Sequence, residues 1–97
     1  MATYIALVNW TEQGIRDVAD SPKRLDLVRK LGQRVDVKLK DFYMTMGEYD
    51  IVVVFEAPSD AVLAKFILEV ARTGNIRTKT LKAFTEAEYR AVIGSLS

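Results

Sequence analysis

The 97-residue chain contains no histidine and no cysteine, and these two absences exclude several kinds of site. Without them the chain cannot form a Ser-His-Asp or Cys-His catalytic site, a zinc site built on His or Cys, or a haem site with a proximal histidine. Disulfides are excluded as well, which is usual in a reducing compartment. Acid–base chemistry is therefore left to carboxylate, tyrosine and basic side chains.

The chain also lacks an excess of charge of either sign and a long hydrophobic run. Lys and Arg (14) nearly balance Asp and Glu (13), so the formal net charge of +1 gives no field that would attract a polyanion. The apolar run Tyr4–Val8 is far shorter than the roughly 20 residues that span a bilayer, and no basic region precedes it. We expect a cytoplasmic protein without a membrane partner.

The chain does have enough apolar residues for one folded domain. Hydrophobic residues make up 49% of the sequence and charged residues 28%, as in ordinary globular proteins. The length is that of one domain, and no linker, low-complexity segment or internal repeat interrupts it. Residues 1–97 are therefore expected to form a single domain.

The sequence predicts seven elements in the order strand, helix, strand, strand, helix, strand, helix. Stretches rich in β-branched and aromatic residues predict strands over 3–10, 37–45, 49–57 and 75–84. Ser21 before Pro22, Ser59 before Asp60, and a Thr85 capping box predict the starts of the three helices. Residues 9–14 are expected only to break the first strand. Two predictions on apolar helix faces follow: Val35 lies on that of the first helix, and Tyr89, Val92, Ile93 and Leu96 form that of the last.

The first six elements have the split βαβ order of a ferredoxin-like fold. Right-handed crossovers place the first and third strands in the centre of the sheet and the second and fourth at its edges. The centre of the third strand, Ile51–Phe55, is apolar without alternation, which indicates that both of its faces are covered. We predict an α+β, ferredoxin-like βαββαβ sandwich with an extra C-terminal helix.

Helices cover only one face of such a sheet, yet the opposite face of the central strands also carries apolar side chains. Either Val52 and Val54 or their odd-numbered neighbours point there. Apolar patches of this kind mark interfaces or ligand grooves, and two sheets packed face to face with two-fold symmetry would cover this one. We predict a homodimer or a larger homo-oligomer. A small-molecule cavity would then lie between sheet and helices or between subunits.

The hairpin before the third strand contains Gly47, Tyr49 and Asp50, and here the chain resembles the GYD-domain family of small bacterial and archaeal proteins. The similarity continues through Thr11–Gly14, Ser21–Arg24, Phe55–Pro58 and Gly74–Phe84, so that it covers nearly the whole chain. The resemblance implies a bacterial protein with a dimeric α/β barrel. Related barrels include cofactor-free monooxygenases, haem enzymes and ligand-sensing domains.

Two interpretations of the Gly47, Tyr49 and Asp50 pattern remain open. In the structural one, Gly47 supplies an unusual φ in the turn, Tyr49 anchors the strand start, and Asp50 caps or pairs with nearby groups. In the catalytic one, burial raises the pKa of Asp50 so that it acts as a general base, while Tyr49 orients a substrate oxygen. The catalytic interpretation loses its base if backbone amides or a basic side chain bind Asp50.

Four further residues are candidates for ligand binding: Trp10, Tyr43, Tyr4 and Arg77. The alternatives are that Trp10 only packs, and that Arg77 guards an edge strand against aggregation. A carboxylate-only metal site needs several convergent oxygens, which the spacing does not provide, so neither metal nor cofactor is predicted.

Nucleic-acid binding is not expected either, although RNA-recognition modules share this order of elements. Such modules carry a Lys/Arg-Gly-aromatic run on the third strand, whereas Glu48 follows Gly47 here and would repel phosphates.

Two function hypotheses follow. The first is a homo-oligomeric GYD-type domain that binds a small apolar or weakly anionic ligand or acts as an assembly module. The alternative is a cofactor-independent monooxygenase-like or isomerase-like enzyme with Asp50 as general base and Tyr49, Trp10 and Tyr43 in the pocket. Only the enzyme requires an enclosed pocket that a free Asp50 carboxylate reaches.

Overall fold

The computed structural model describes residues 1–97 and contains four strands, four α-helices and one short 3₁₀ helix. None of the helices is long and apolar enough to cross a membrane. The strands are β1 (Ala2–Trp10), β2 (Lys38–Met44), β3 (Ile51–Ala57) and β4 (Ile76–Ala83). The helices are α1 (Glu12–Arg16), α2 (Ser21–Arg34), α3 (Asp60–Ala71) and α4 (Glu86–Gly94), and the 3₁₀ helix is Val18–Asp20.

The four strands form one antiparallel sheet in the order β2-β3-β1-β4. The two central strands are therefore β1 and β3, as predicted from the apolar centre of β3 and the handedness of the crossovers. The βαββαβ order, the sheet topology and the additional C-terminal helix confirm the predicted ferredoxin-like fold.

Strict alternation along the central strands decides which side chains face the helices. On β3, Ile51, Val53 and Phe55 are buried beneath the helices, whereas Val52 and Val54 point to the opposite side and are only half-buried. We call the helix side the covered face of the sheet and the other side the open face. The main core therefore lies on the covered face, as ten buried side chains from the two central strands, α3 and the turn before β2: Tyr4, Ala6, Val8, Val37, Ile51, Val53, Phe55, Ala57, Leu63 and Phe66.

The prediction that residues 9–14 only break the first strand was incomplete, because helix α1 begins there. Thr11 caps α1: its hydroxyl oxygen accepts from the Gly14 N–H at 3.1 Å and donates to the Gly74 carbonyl at 2.6 Å. Gly14 allows this close packing, since a Cβ on it would lie 1.9 Å from the Asn75 carbonyl oxygen. The signal was the N-cap threonine followed by Glu12 in the first turn.

Helix α2 differs from its prediction at both ends. Ser21 is its first residue and not its cap, since the N-cap is Asp20, which makes no side-chain cap hydrogen bond. Val35 lies beyond the helix and is 39% exposed, which corrects its expected place on the apolar face. Asp36 turns the chain with φ 61°, and the next residue, Val37, is buried in its place.

The capping box at Thr85 and Glu88 forms as predicted at the start of α4. The Thr85 N–H bound to the Glu88 carboxylate lowers the pKa of that glutamate. The predicted apolar face of α4 is uncovered, because Tyr89, Val92 and Ile93 are 47–56% exposed. Leu96, predicted on the same face, lies beyond the end of the helix and is 71% exposed. The radius of gyration of 14.6 Å exceeds the about 12.5 Å expected for a compact chain of this length, in accord with a helix that lies away from the core.

Candidate functional site

A cavity of about 330 Å³ lies between the covered face of the sheet and helices α2 and α3. Most of the 22 residues that line it are hydrophobic, and the floor at β1 is formed by the short side chains of Ala6 and Val8. The 16 hydrophobic lining residues are Ala6, Val8, Trp10, Leu25, Leu27, Val28, Leu31, Leu39, Phe42, Ile51, Val53, Phe55, Phe66, Ile67, Val70 and Ile76.

The polar lining residues come from the first turn of α2, the last turns of α3, the loop after it and β4. They are Ser21, Arg24, Glu69, Thr73, Asn75 and Thr78. Arg24 and Asn75 lie at the same end of the cavity, because Arg24 Nη2 donates to the Gly14 carbonyl at 3.3 Å and Gly14 packs directly on Asn75. The cavity therefore has an apolar interior and one polar end. We call the Arg24 and Asn75 side the polar end.

Arg24 is held at the polar end by neutral groups. Its Nη1 donates to the Asp17 carbonyl at 3.0 Å, and its Nη2 donates to the Gly14 carbonyl. None of the four ion pairs in the protein involves Arg24, whereas Glu69 lies 3.9 Å from Arg72. The guanidinium is thus fixed in position without a carboxylate partner.

Trp10 lies at the same end of the sheet and is the predicted ligand-binding residue that lines the cavity. It is half-buried, pairs across β1 and β4 with Ile76, and is the chain's single tryptophan. Its indole is therefore a natural reporter of what enters the cavity.

Asp50, the candidate general base, holds the ends of the central strands together. Its Oδ2 accepts from the Trp10 N–H at 3.0 Å, and its own N–H donates to the Val8 carbonyl at 2.9 Å. The Asn9 Oδ1 accepts from the same Asp50 N–H at 3.2 Å. Asp50 is not among the cavity residues. These contacts are the backbone capping that favours the structural interpretation of the motif.

The other two residues of the motif also make structural contacts. Gly47 has φ +123°, which side-chain-bearing residues rarely adopt. The Tyr49 carbonyl accepts from the Thr45 hydroxyl at 2.6 Å, and Lys79 Nζ lies 5.8 Å from the centre of the Tyr49 ring. The Lys79 side chain of β4 therefore reaches the Tyr49 ring, and Tyr49 is not among the cavity residues.

Tyr4 is on the covered face but does not line the cavity. It is buried, and its hydroxyl donates a hydrogen bond to the carboxylate of Asp60 at the start of α3. Lys82 Nζ lies 3.3 Å from Asp60 Oδ1 and 5.9 Å from the centre of the Tyr4 ring. The hydrogen bond to Asp60 raises the pKa of Tyr4 to about 12, and the same bond, aided by Lys82, lowers the pKa of Asp60.

The remaining two predicted ligand-binding residues are on the open face. Tyr43 is 60% exposed and pairs with Val52, while Arg77 is exposed and pairs with Asn9. Arg77 alternates with Ile76 and Thr78, which line the cavity, so its side chain points away from it. The structure therefore does not bring Trp10, Tyr43, Tyr4 and Arg77 into one site.

Sequence reasoning missed Arg24, Thr73 and Asn75, and a signal existed for the first. Arg24 lies four residues before Val28 and seven before Leu31, which places it on the stripe of α2 that faces the sheet. Its charge alone would instead predict a solvent-facing position. Asp and Glu side chains form no group of three or more that could hold a metal ion.

The open face carries an apolar centre with charged residues around it. Cross-strand pairs join Ile5 to Val54 and Leu7 to Val52, and Leu81 beside Ile5 is 51% exposed. No helix of the protomer covers this side, so these side chains meet water in the single chain. The charged residues on the flanking positions are Lys38, Asp41, Glu56, Arg77 and Lys79.

The GYD-domain family matches the chain over residues 4–93. The chain belongs to this family. A relative from Thermus thermophilus is 33% identical over 89 residues, which cover 91% of this chain and 94% of the relative. That protein is named a glutamine synthetase and cystathionine beta-lyase binding protein. The resemblance inferred at Gly47, Tyr49 and Asp50 is confirmed by this membership.

Two solved structures share the fold of this GYD domain. The feast or famine regulatory protein of M. tuberculosis, in complex with L-methionine, superposes with a TM-score of 0.66 at 18% identity. The match covers 88% of this chain, which spans about half (51%) of that protein. A hypothetical protein from Pyrococcus horikoshii has a TM-score of 0.55 at 27% identity, with coverage of 89% of this chain and 93% of that one.

Proposed function

We propose that this GYD domain is a protomer of a homodimer that binds a small, largely apolar ligand in the cavity between its sheet and its α2 and α3 helices. The single observation that carries the proposal is the cavity, whose volume and apolar lining with a few polar groups at one end are typical of ligand sites. The single-domain organisation and the cytoplasmic location expected from the sequence are part of the same proposal.

Energetics support an occupant for the cavity. The cavity is partly open to solvent and its lining surface is mostly apolar, so a ligand that covers this surface is favoured by the hydrophobic effect. Water fills such a space poorly, because it needs two to four polar partners that the interior does not offer. An apolar ligand restores the missing contacts.

The homodimer is supported by the open face. Leu81 and Tyr43 are more than half exposed beside Ile5, Leu7, Val52 and Val54, in the middle of a sheet that no helix of the protomer covers. Continuous apolar surface of this kind marks an interface. Two copies related by a two-fold axis would bury it in the manner of two packed sheets.

The alternative of an enzyme with Asp50 as general base has less support. Its carboxylate accepts a backbone N–H at the end of β1 and does not line the cavity, so a ligand bound there would not meet it.

A second candidate function is binding to another enzyme, which the name of the T. thermophilus relative favours. The match covers 91% of this chain and 94% of the relative. Sedimentation velocity of the purified chain with purified glutamine synthetase and, separately, cystathionine beta-lyase tests it. A co-sedimenting complex supports this function, and independent boundaries at tens of micromolar count against it.

The ligand proposal is tested with the neutral dye N-phenyl-1-naphthylamine, followed by dye emission and by quenching of Trp10. Val53→Phe fills the cavity and is expected to weaken dye binding at least tenfold. Val52→Phe, the same change on the adjacent residue of the open face, is the matched control and leaves dye binding at the wild-type level. Absence of dye binding to the folded wild-type protein would overturn the proposal.

The homodimer is tested by sedimentation equilibrium of the wild-type chain and of Leu7→Glu, which places a charge in the centre of the open face. The wild type is expected at twice the 10.9 kDa chain mass and Leu7→Glu at the chain mass. Glu12→Lys on α1, an exposed charge change outside the open face, should leave the dimer intact. A folded wild-type monomer at tens of micromolar contradicts the dimer.

A further inference from the structure

We propose that the ligand of the cavity is a carboxylate with an apolar chain, and that Arg24 binds its carboxylate while the chain lies on the apolar interior. This inference rests on the proposed ligand-binding function and adds the chemical class of the ligand. Three features of the polar end support it: the free N–H groups of Arg24, the neutral hydrogen-bonding groups beside it, and the ion pair that the acidic side chain Glu69 makes with Arg72.

Arg24 keeps both its charge and most of its donors free for a ligand. A guanidinium has five N–H groups, of which two are used by the Asp17 and Gly14 carbonyls. Carbonyls fix the position of the group without neutralising it. Three N–H groups therefore remain at the edge of an apolar cavity, where a hydrogen bond to an anion is stronger than in water.

The neutral polar groups beside Arg24 also suit a carboxylate. Asn75 Oδ1 accepts from Gln13 Nε2 at 3.0 Å, which orients the Asn75 amide and leaves its Nδ2 N–H groups as donors. The Thr73 hydroxyl donates to the Val70 carbonyl at 2.8 Å, so this side chain is already engaged. The Arg24 guanidinium and the Asn75 amide therefore both offer hydrogen-bond donors at this end, as an anion requires.

The acidic side chain of the polar end does not cancel the Arg24 charge. Glu69 lies 3.9 Å from Arg72, its neighbour one turn along α3, and its side chain is 46% exposed. Glu69 is thus paired and directed partly to solvent. One guanidinium with an adjacent amide matches a single carboxylate better than a phosphate, which is usually bound by several cations or backbone N–H groups.

Octanoate and 1-octanol are the probes, because they share an eight-carbon chain and differ in the head group. Each is titrated as a competitor of N-phenyl-1-naphthylamine in the wild-type protein at pH 7.5. Octanoate is expected to bind about tenfold more tightly, which is the lower end of what hydrogen bonds to a charged group contribute. Equal affinity of the two probes in the wild type overturns the inference and leaves the cavity proposal standing.

Variants then assign the preference to Arg24. Arg24→Gln is expected to abolish the octanoate preference without changing the affinity for 1-octanol, and Arg24→Lys to restore part of it. Lys23→Gln removes the same charge from the adjacent exposed position and should keep the preference, which controls for net charge. Equal loss of both probes in Arg24→Gln would mean that Arg24 only shapes the cavity, and would overturn the inference.

Failure of the underlying function is distinguishable from failure of this inference. If neither probe displaces the dye and the dye itself does not bind, the cavity is not a ligand site. If 1-octanol and the dye bind but octanoate binds no more tightly than 1-octanol, only the proposed role of Arg24 is wrong. The wild-type comparison of the two probes needs no variant, so it holds even if Arg24→Gln does not fold.

Discussion

The two faces of the sheet are nearly equally apolar at their centres, but helices cover only one of them. On the covered face, Val53 lies under helices α2 and α3, which leave a cavity above it. On the open face its neighbours Val52 and Val54 have no cover within the protomer. The covered face therefore borders a cavity, whereas the open face exposes apolar surface, although the residues on the two faces are direct neighbours along β3.

The difference teaches that apolar content alone does not tell what a face is for. The covered face is closed by the chain's own helices, and its unfilled volume offers a place for a small molecule. The open face has no volume of its own, and only a second large surface can cover it. We therefore propose that the same hydrophobic driving force favours ligand binding on one side and assembly on the other.

The largest expected effect comes from removing equal side chains on the two sides. Leu63→Ala removes a leucine that is 2% exposed in the core and should lower the free energy of unfolding by about 2 to 5 kcal/mol. Leu81→Ala, on the open face, should cost less than about 0.5 kcal/mol in dilute protein. Urea unfolding measures both.

The Leu81→Ala loss should grow with protein concentration, because the proposed dimer would bury this residue, which is exposed in the monomer. Equal losses at every concentration for Leu63→Ala and Leu81→Ala would abolish the distinction between the two faces.

The next effect concerns the close packing beside the polar end of the covered face. Gly14→Ala places a Cβ 1.9 Å from the Asn75 carbonyl oxygen, so α1 and the loop before β4 must separate. We expect a loss of about 1 to 3 kcal/mol in thermal or urea unfolding. A weaker Thr11 N–H to Asn75 carbonyl bond should appear as faster amide exchange at Thr11.

Gly94→Ala is the matched control, since Gly94 is also helical and has no heavy atom within 4 Å of its Cβ position. It should be neutral or slightly stabilising, because alanine favours helix. A Gly14→Ala protein as stable as the wild type would contradict this prediction, because it would show that the backbone near Asn75 can move aside without loss of stability.

A smaller effect separates the structural role of Asp50 from a chemical one. Asp50→Ala leaves the Trp10 N–H without its acceptor and should cost about 1 kcal/mol. Asp50→Asn keeps an acceptor oxygen at the same place and should recover most of that loss. Urea unfolding measures stability, and dye titration should show unchanged cavity affinity in both variants. An Asn variant as unstable as the Ala variant would mean that the charge itself is required.

The smallest effect is a pH dependence at the Tyr4 end of the covered face. The folded-state pKa of Tyr4, about 12, exceeds its ordinary value of 10.0, so the stability that its protonated hydroxyl contributes is fully present below pH 10. That contribution is lost as the pH rises through 12. The wild type should therefore lose more stability between pH 10 and 12 than Tyr4→Phe, in urea unfolding at matched pH values.

The carboxylate partner has the opposite sign. The pKa of Asp60 lies below its ordinary value, so its contribution is present above that value and fades as the pH falls. Asp60→Asn should flatten the acid limb of the stability curve relative to the wild type. Parallel pH curves for wild type and both variants would contradict the Tyr4–Asp60 pair.

Much of the fold could be predicted because its signals are local. The apolar centre of β3, the Ser59 cap and the Thr85 capping box each depend on a few neighbouring residues, and each appears where it was expected. The errors also have local causes: α1 is only five residues long, and the left-handed turn at Asp36 moves Val37 into the place expected for Val35.

The candidate site was less predictable because it depends on distant contacts. Tyr4 meets Asp60, 56 residues away, and Arg24 meets the α1 segment whose helix was itself missed. Trp10 could be chosen as an aromatic residue at a strand end, but its separation from Tyr43 and Arg77 depended on which strand positions face the helices.

By itself, the sequence determined the order of the four strands and the three longer helices, the central place of β3 and the exclusion of histidine and cysteine chemistry, since composition and residue spacing suffice for these. Only the tertiary structure decided which face is covered, that the helices leave a cavity, and that Asp50 binds a backbone amide while Arg24 has no carboxylate partner. The physical reason is that β1 and β3 carry apolar side chains at both alternate sets of positions. Their two faces therefore become different only when the helices pack against one of them.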